Sequence, residues 1–291
     1  MKLTIGAVAY KNLKYTKLFV DSIKKTVKHP FDFFIVDGYG KDETWDWIDQ
    51  EKIPAIKHDK NYGAVHAVND IFDHAFEGTE ESLLLMCGND VMAYPGAVDN
   101  MIRLMELAKP DWVWANEMRT EMFASLMPRY QDERYFDSQL RLKPDKFPEY
   151  TQYKFEKTEE GYYFNPVRDY RNFTLISSRL FDKIGYADVS FYPSGYYEDN
   201  DYCLRAHLAG AQAILAKGSW FYHFWNRSIV EADANIDQVQ KSLNIYLKKW
   251  GSDVGKETFP LPYMDEPLAK MTRDGDIRTL GKLIAEAQQC V

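Results

Sequence analysis

The chain has 291 residues, with 36 Lys plus Arg against 44 Asp plus Glu, a net charge of −8. Apolar residues make up 45% and charged residues 27%, close to soluble globular averages, which excludes a disordered, collagenous or coiled-coil chain. The acidic balance disfavours a broad phosphate-neutralising surface, and with it a nucleic-acid partner.

LTIGAVAY (3–10) is a short apolar, β-branched run and predicts a first strand. Residues 14–28 follow with Phe19, Ile23 and Val27 on one helix face, stopped by Pro30. FDFFIVDG (31–38) reads as a second strand, DETWDWIDQ (42–50) as a short helix, and AIKHD after Pro54 as a weak strand. GAVHAVNDIFDHAF (63–76) has helical spacing, and SLLLMCG (82–88) is a fully apolar strand. PGAVDNMIRLMELA (95–108) predicts a helix with Pro95 in its first turn. DWVWANE (111–117) predicts another strand.

Residues 118–170 break the rhythm and read as an insertion, lid or small subdomain. Regularity returns at NFTLISSRLFDKIG (172–185), then a helix near 198–209 and the apolar stretches AQAILAKG and SWFYHFW. Helices are predicted around 235–250 and near 278–289.

Continuous apolar strands alternating with helices imply right-handed parallel crossovers. The expected fold is therefore α/β: an open, mostly parallel sheet flanked by helices, with an irregular insertion and C-terminal helices. Ligands in such sheets bind at the carboxyl ends of the strands, so the polar residues just after each strand matter most. Cys87, Cys203 and Cys290 have no CxxC spacing, which fits a reducing compartment. MKLTIGAVAYKN is too short an apolar run for a signal segment, and no stretch of 18 apolar residues occurs. A cytoplasmic protein without a membrane span is expected.

Several nucleotide chemistries lack their residues. The segment after the first strand, AVAYKN, has no glycine for a dinucleotide pyrophosphate. GYGKDE lacks the spacing and hydroxyl residue of a phosphate loop, and no HExxH occurs.

What remains lies at strand ends. Asp37 follows the second strand. Asn61 and Gly63 open the third helix, with Asn69 along it. Gly88, Asn89 and Asp90 follow the fourth strand, Glu198-Asp199-Asn200-Asp201 opens the late helix, and His223 ends a later strand. Each also has a plainer role. Asp37-Gly38 is an ordinary turn pair, and Asp199 or Asn200 suits a helix N-cap. Glu198 and Asp201 suit the helix dipole. His223 sits in an aromatic run where a core histidine fits, and His66 and His74 read as structural. Arg205, four residues after Asp201, reads equally as a surface ion pair or as a group orienting the acids.

In order and wording the strings FIVDGYGKDET, NYGAVHAVN, LLLMCGNDVMAYPGA, GYYEDNDYCLRAHLAG and the later His223 with YLKKWG resemble family 2 glycosyltransferases of the GT-A fold. The resemblance spans roughly residues 3–250. It implies that Asp37 and the backbone near Ala9 line the donor-nucleotide pocket, with Asn61, Gly63, Asn69, Gly88 and Asn89 also on the donor side. The family's Asp-x-Asp slot falls on Gly88-Asn89-Asp90, leaving Asp90 as metal ligand, joined by His223. Asp199 matches the family's catalytic base, with Glu198 beside it. By the same resemblance, residues 1–117 form the nucleotide-sugar half, 118–229 the acceptor half and 230–291 a helical extension.

The chemistry is consistent with these roles. Departure of a nucleoside diphosphate builds negative charge that a hard cation neutralises, held by only one or two carboxylates, so Mn²⁺ or Mg²⁺ is expected. An imidazole ligand favours Mn²⁺. The acceptor hydroxyl loses a proton to a placed carboxylate, a step worth about 10²–10⁴-fold, and one base with in-line attack implies inversion. The expected partners are a nucleoside-diphosphate sugar, UDP foremost, and a carbohydrate or other hydroxyl acceptor shaped by Tyr162, Tyr163, Arg168, Tyr170 and Arg171. The C-terminal helices pack on this body or make a homo-oligomer contact. The alternatives are an inactive nucleotide-sugar or carbohydrate-binding protein, suggested by Gly88 in the acid slot, a nucleotidyl- or phosphotransferase, and a glycosyltransferase of modified DNA bases.

Overall fold

The computed structural model describes residues 1–40, 42–78, 81–119, 150–153, 156–158, 161–163, 173–192, 196–224, 236–250, 258–259 and 271–273. Its first half alternates β1 (Lys2–Ala9), α1 (Leu13–Thr26), β2 (Asp32–Asp37), α2 (Thr44–Gln50), β3 (Ala55–Lys57), α3 (Ala64–Ala75) and β4 (Ser82–Gly88). Then come β5 (Val91–Ala93), α4 (Ala97–Ala108), β6 (Trp112–Arg119), β7 (Tyr150–Tyr153), β8 (Glu156–Thr158) and β9 (Gly161–Tyr163). The last part holds β10 (Phe173–Ser177), α5 (Ser178–Ile184), α6 (Glu198–Leu208), β11 (Ala213–His223), α7 (Ile236–Trp250) and β12 (Thr258–Phe259).

One large sheet has the order β3-β2-β1-β4-β10-β6-β11-β5, with β7 also on β11. β1 runs parallel to β2 and β4, and β11 runs parallel to β6. β10 is antiparallel to both β4 and β6. The double reversal through β10 points β6 and β11 the same way as β1, β2 and β4. The carboxyl ends of all five strands therefore share one edge, which positions the site.

The strands bury both faces. Leu3, Ile5, Leu83, Leu85 and Val113 pack with Phe19 and Ile23 of α1 and Met101 and Leu104 of α4. Phe34, Val36, Leu84, Trp112 and Trp114 pack on the other side with Ile71 and Phe72 of α3 and Tyr202 of α6. At Gly6 a Cβ would lie 2.3 Å from Ile71 Cγ2, so this strand glycine marks the close approach of α3 to β1.

Departures from the sequence reading have local causes. AQAILAKG and SWFYHFW form one strand, β11, whose register shifts between Ala216 and Trp220. Three of the nine strands, β5, β7 and β10, pair antiparallel, while the rest keep the sheet mostly parallel, as expected. Pro95 precedes α4, because Gly96 takes a left-handed conformation (φ 79°) before the helix begins at Ala97. The helix near 278–289 and most of the 118–170 insertion lie outside the described residues. Three short strands, β7, β8 and β9, occur within that insertion. Cys87 and Cys203 are both buried. Among the described residues no helix is long and apolar enough to cross a membrane.

Candidate active site

β2 ends on Asp37, fully buried against β1 with Ala9 as its register partner. One carboxylate oxygen, Oδ1, accepts from the backbone N–H of Tyr39 (2.9 Å) and Gly40 (3.0 Å). The other, Oδ2, is buried without a partner. An unpaired buried acceptor is costly, about 1–3 kcal/mol, so this oxygen is suited to an N–H brought by a ligand. Gly38 N donates to Ala9 O at 2.7 Å, and a Cβ on Gly40 would meet Lys11 N at 2.5 Å. The turn after β2 thus lies directly on the turn after β1.

The turn after β4 joins the same assembly. Asn89 donates from Nδ2 to Lys11 O (3.3 Å) and Thr16 Oγ1 (3.0 Å). Asp90, 7% exposed, has Oδ1 3.3 Å from His223 Nε2 at the end of β11. His223 Nδ1 in turn lies 2.6 Å from Glu117 Oε1 on β6. Burial alone would lower the pKa of His223, but its hydrogen bonds to Asp90 and Glu117 carry it up to about 9. The imidazole therefore holds both protons between two carboxylates.

Loss of the Nε2 proton would free that nitrogen as a ligand beside the Asp90 oxygen. Glu117 on Nδ1 would fix the ring, as acidic partners of metal-binding histidines do. This donor pair fits a divalent cation. Among the described residues no three His, Cys, Asp or Glu side chains form a metal cage, so substrate or water oxygens would fill the remaining positions.

The chain passes the same edge again shortly before the acidic helix. Tyr192 donates from its hydroxyl to Asn61 O (3.3 Å) beside the start of α3. From that side α6 leads back to the opposite edge, where Asp111 N donates to Gln212 O (2.9 Å) just before β11. Glu198 and Asp199 occupy the first turn of α6. Asp199 is not the N-cap: Tyr197 is, in a left-handed conformation (φ 68°), with no side-chain cap bond. The Asp199 Oδ1 accepts from Asn200 N at 2.8 Å. Burial raises the pKa of Asp199 to about 6. Burial, and then the neighbouring Asp199 charge, push Glu198 well above the usual carboxylate range, and its Oε2 is unpartnered.

The other sequence candidates divide. Asn61 Oδ1 accepts from Gly63 N (2.8 Å) and shapes the turn into α3, which Gly63 enters at φ 81°. Gly88 pairs with Val8 at the rim. Asn69 is buried, and both ends of its amide are taken up by the Ala187 backbone (2.9 and 3.0 Å), so it pins α3 to the loop before α6. Arg205 is 1% exposed and bonded to Asp201 at 2.8 Å, a buried pair and not a surface one. The proposed acceptor residues Tyr162, Tyr163, Arg168, Tyr170 and Arg171 lie outside the described side chains. Glu117 was missed, although DWVWANE ends on it and it lies near the carboxyl end of β6. Lys11, Asn12 and Tyr39 in the rim turns also have positive φ, like Tyr197. Such strain in non-glycine residues collects at functional sites.

The family model described as Glycosyl transferase family 2 matches residues 4–172. No curated protein matches this chain. The crystal structure of S. aureus TarS 1–349 in complex with UDP-GlcNAc is similar with a TM-score of 0.56 at 12% identity, over 87% of this chain and 68% of that one. The crystal structure of GalNAc-T7 with UDP, GalNAc and Mn²⁺ is similar with a TM-score of 0.57 at 10% identity, over 99% of this chain and 54% of that one. Identities this low speak for the fold alone, the curled open α/β sheet of the GT-A type.

Proposed function

The chain belongs to glycosyl transferase family 2, and from that premise we propose an inverting transfer from a UDP-sugar to an acceptor hydroxyl, assisted by a divalent cation. The observation that carries this reading is the meeting of Asp90 and His223 at 3.3 Å, on the edge that also presents Asp37. Support for UDP comes from the TarS and GalNAc-T7 structures, whose ligands are UDP-GlcNAc in one and UDP with GalNAc and Mn²⁺ in the other.

Asp37 Oδ2 accepts from the base N–H, and the backbone around Ala9 and the turn carrying Asn89 line the nucleotide. Asp90 and His223 would hold Mn²⁺ or Mg²⁺; Gly88 leaves Asp90 as the one acid of its slot. When bound, the cation neutralises the charge that develops on the departing diphosphate. Glu117 keeps the His223 ring oriented. Asp199, ionised above its raised pKa of about 6, takes the proton of the attacking hydroxyl. Glu198 lies beside it, its carboxyl pushed up by burial. With one base and, among the described residues, no second carboxylate assigned as nucleophile, this reading has in-line attack and inversion of the anomeric configuration.

A thermal-shift panel of UDP-, GDP- and dTDP-sugars, each with and without Mn²⁺, tests this reading. A ligand present at a hundred times its Kd stabilises by about 2.7 kcal/mol. The expected result is a clear upward shift for a UDP-sugar with Mn²⁺ and a much smaller one without. Equal shifts for all three nucleotides, or none that depends on Mn²⁺, would contradict it.

A further inference from the structure

Behind the acidic start of α6 lies a second set of charges that takes no part in the chemistry above. Asp201 is fully buried. Its Oδ2 accepts from Arg205 Nε at 2.8 Å, and its Oδ1 accepts from Lys249 Nζ at 2.6 Å and Trp250 Nε1 at 2.9 Å. Lys249 also donates to Asp188 Oδ2 at 2.6 Å. Arg205 spends its other N–H groups on the carbonyls of Ile184 (2.9 Å) and Tyr186 (2.8 Å). Asp188, Asp201, Arg205 and Lys249 are all at most 5% exposed. Burial raises the pKa of Asp201, but Lys249 and then Arg205 outweigh it and hold the carboxyl below its usual range.

Two carboxylates face two cations, so the cluster is neutral, but stability alone does not explain it. Well-packed apolar residues often replace a buried ion network at no loss. What an apolar contact lacks is direction. Successive residues of a helix turn by about 100°, so Asp199 and Asp201 point to roughly opposite sides of α6. Fixing Asp201 inward turns Asp199 to the opposite side of the helix. The partners that fix it come from α7, far along the chain. The Tyr246 ring of α7 also lies 5.6 Å from the ring of Tyr197, the left-handed residue through which the chain enters α6. Strain of that kind persists only where the surroundings over-determine it.

We infer that Lys249 and Trp250 are positioning residues: by gripping Asp201 from α7 they set the rotation of α6 that presents Asp199 to the acceptor. The inference rests on Asp199 being the base. It makes the segment 236–250 part of the reaction machinery, in a region otherwise expected to be an appended helical extension.

The test uses the full chain and the UDP-sugar that gives the largest thermal shift, with Mn²⁺, reading UDP release and donor Kd. Misplacing a reacting group by about 1 Å can lower turnover by about 10²-fold. Lys249→Met is therefore expected to lower kcat by about tenfold or more while donor Kd stays within about twofold. Trp250→Phe, which keeps a ring and removes one hydrogen bond, should lower kcat by about threefold. Added to Asp199→Asn, Lys249→Met should slow turnover no further, because the group it positions is already gone. A folded Lys249→Met with normal kcat would overturn the inference, as would a loss that multiplies with that of Asp199→Asn. If Lys249→Met does not fold, Trp250→Phe alone and on Asp199→Asn gives the same two readings. If Asp199→Asn turns over normally, the base assignment itself falls, and the inference with it. A slow Asp199→Asn beside a normal Lys249→Met would fell the inference alone.

Discussion

Asp199 is asked to be both buried enough to be a strong base and ionised enough to act as one. Its pKa of about 6 meets both demands near neutrality. As the base must be deprotonated, kcat should be level above pH 7 and fall about tenfold per unit below pH 6. The same shift has an opposite sign for stability. A folded-state pKa raised from 3.8 to about 6 means that the ionised group opposes folding; the penalty is absent below 3.8 and complete above 6. Asp199→Asn should thus raise Tm at pH 8 and leave it nearly unchanged at pH 3.5, while lowering kcat by about 10²-fold or more with donor Kd nearly intact. A variant with lower Tm at pH 8 would argue against a penalised carboxylate. Which residues stand at strand ends was legible: Asp37, Asp90 and His223 all occupy them. Glu117 obeyed the same rule and was passed over, because its string shares no wording with the family's motifs. Asn69 looked like a ligand residue because a polar side chain on an apolar helix face does not reveal its partner. Here that partner is the Ala187 backbone, distant in sequence.

The turns at the rim are fitted to each other by close approach. Gly40 lies on the Lys11 backbone, where a Cβ would come within 2.5 Å of N and 3.0 Å of Cα. Neither atom can move without shifting the turn that also receives Asn89. Gly40→Ala should therefore loosen the Asp37 turn and weaken donor binding by about tenfold, about 1.4 kcal/mol, with a smaller change in kcat. Calorimetric titration with UDP and Mn²⁺ checks it, and unchanged affinity would detach this turn from the nucleotide. Helices and apolar strands were legible because period and punctuation are local: α1, α3, α4 and β4 fall close to where spacing puts them. Pairing partners were not. The apolar run that becomes β10 does not reveal its antiparallel place between β4 and β6, which depends on partners at Leu83–Cys87 and Trp112–Trp114, far back in the chain. The two runs of β11 looked separate because Gly218 and the register shift near it interrupt one strand. Arg205 four residues after Asp201 is the usual wording of a surface pair, and only the packing of α7 over it makes the pair internal.

Taken whole, the molecule brings side chains from β2, the turn after β4, β6 and β11 to one edge of one sheet, with α7 locked against the acidic helix. The reversal at β10 makes this convergence possible, because it keeps β6 and β11 pointing with β1, β2 and β4. A net charge of −8 makes the rim an unwelcoming place for a diphosphate unless a cation comes with it. Titration calorimetry of UDP against wild-type and Asp90→Ala protein, each with and without Mn²⁺, tests that dependence most directly. Wild-type protein should bind UDP at least about tenfold more tightly with Mn²⁺ than without, a difference of about 1.4 kcal/mol or more, and Asp90→Ala should abolish the difference. Equal affinities with and without Mn²⁺, or an Mn²⁺ effect that survives in Asp90→Ala, would contradict a cation held by Asp90.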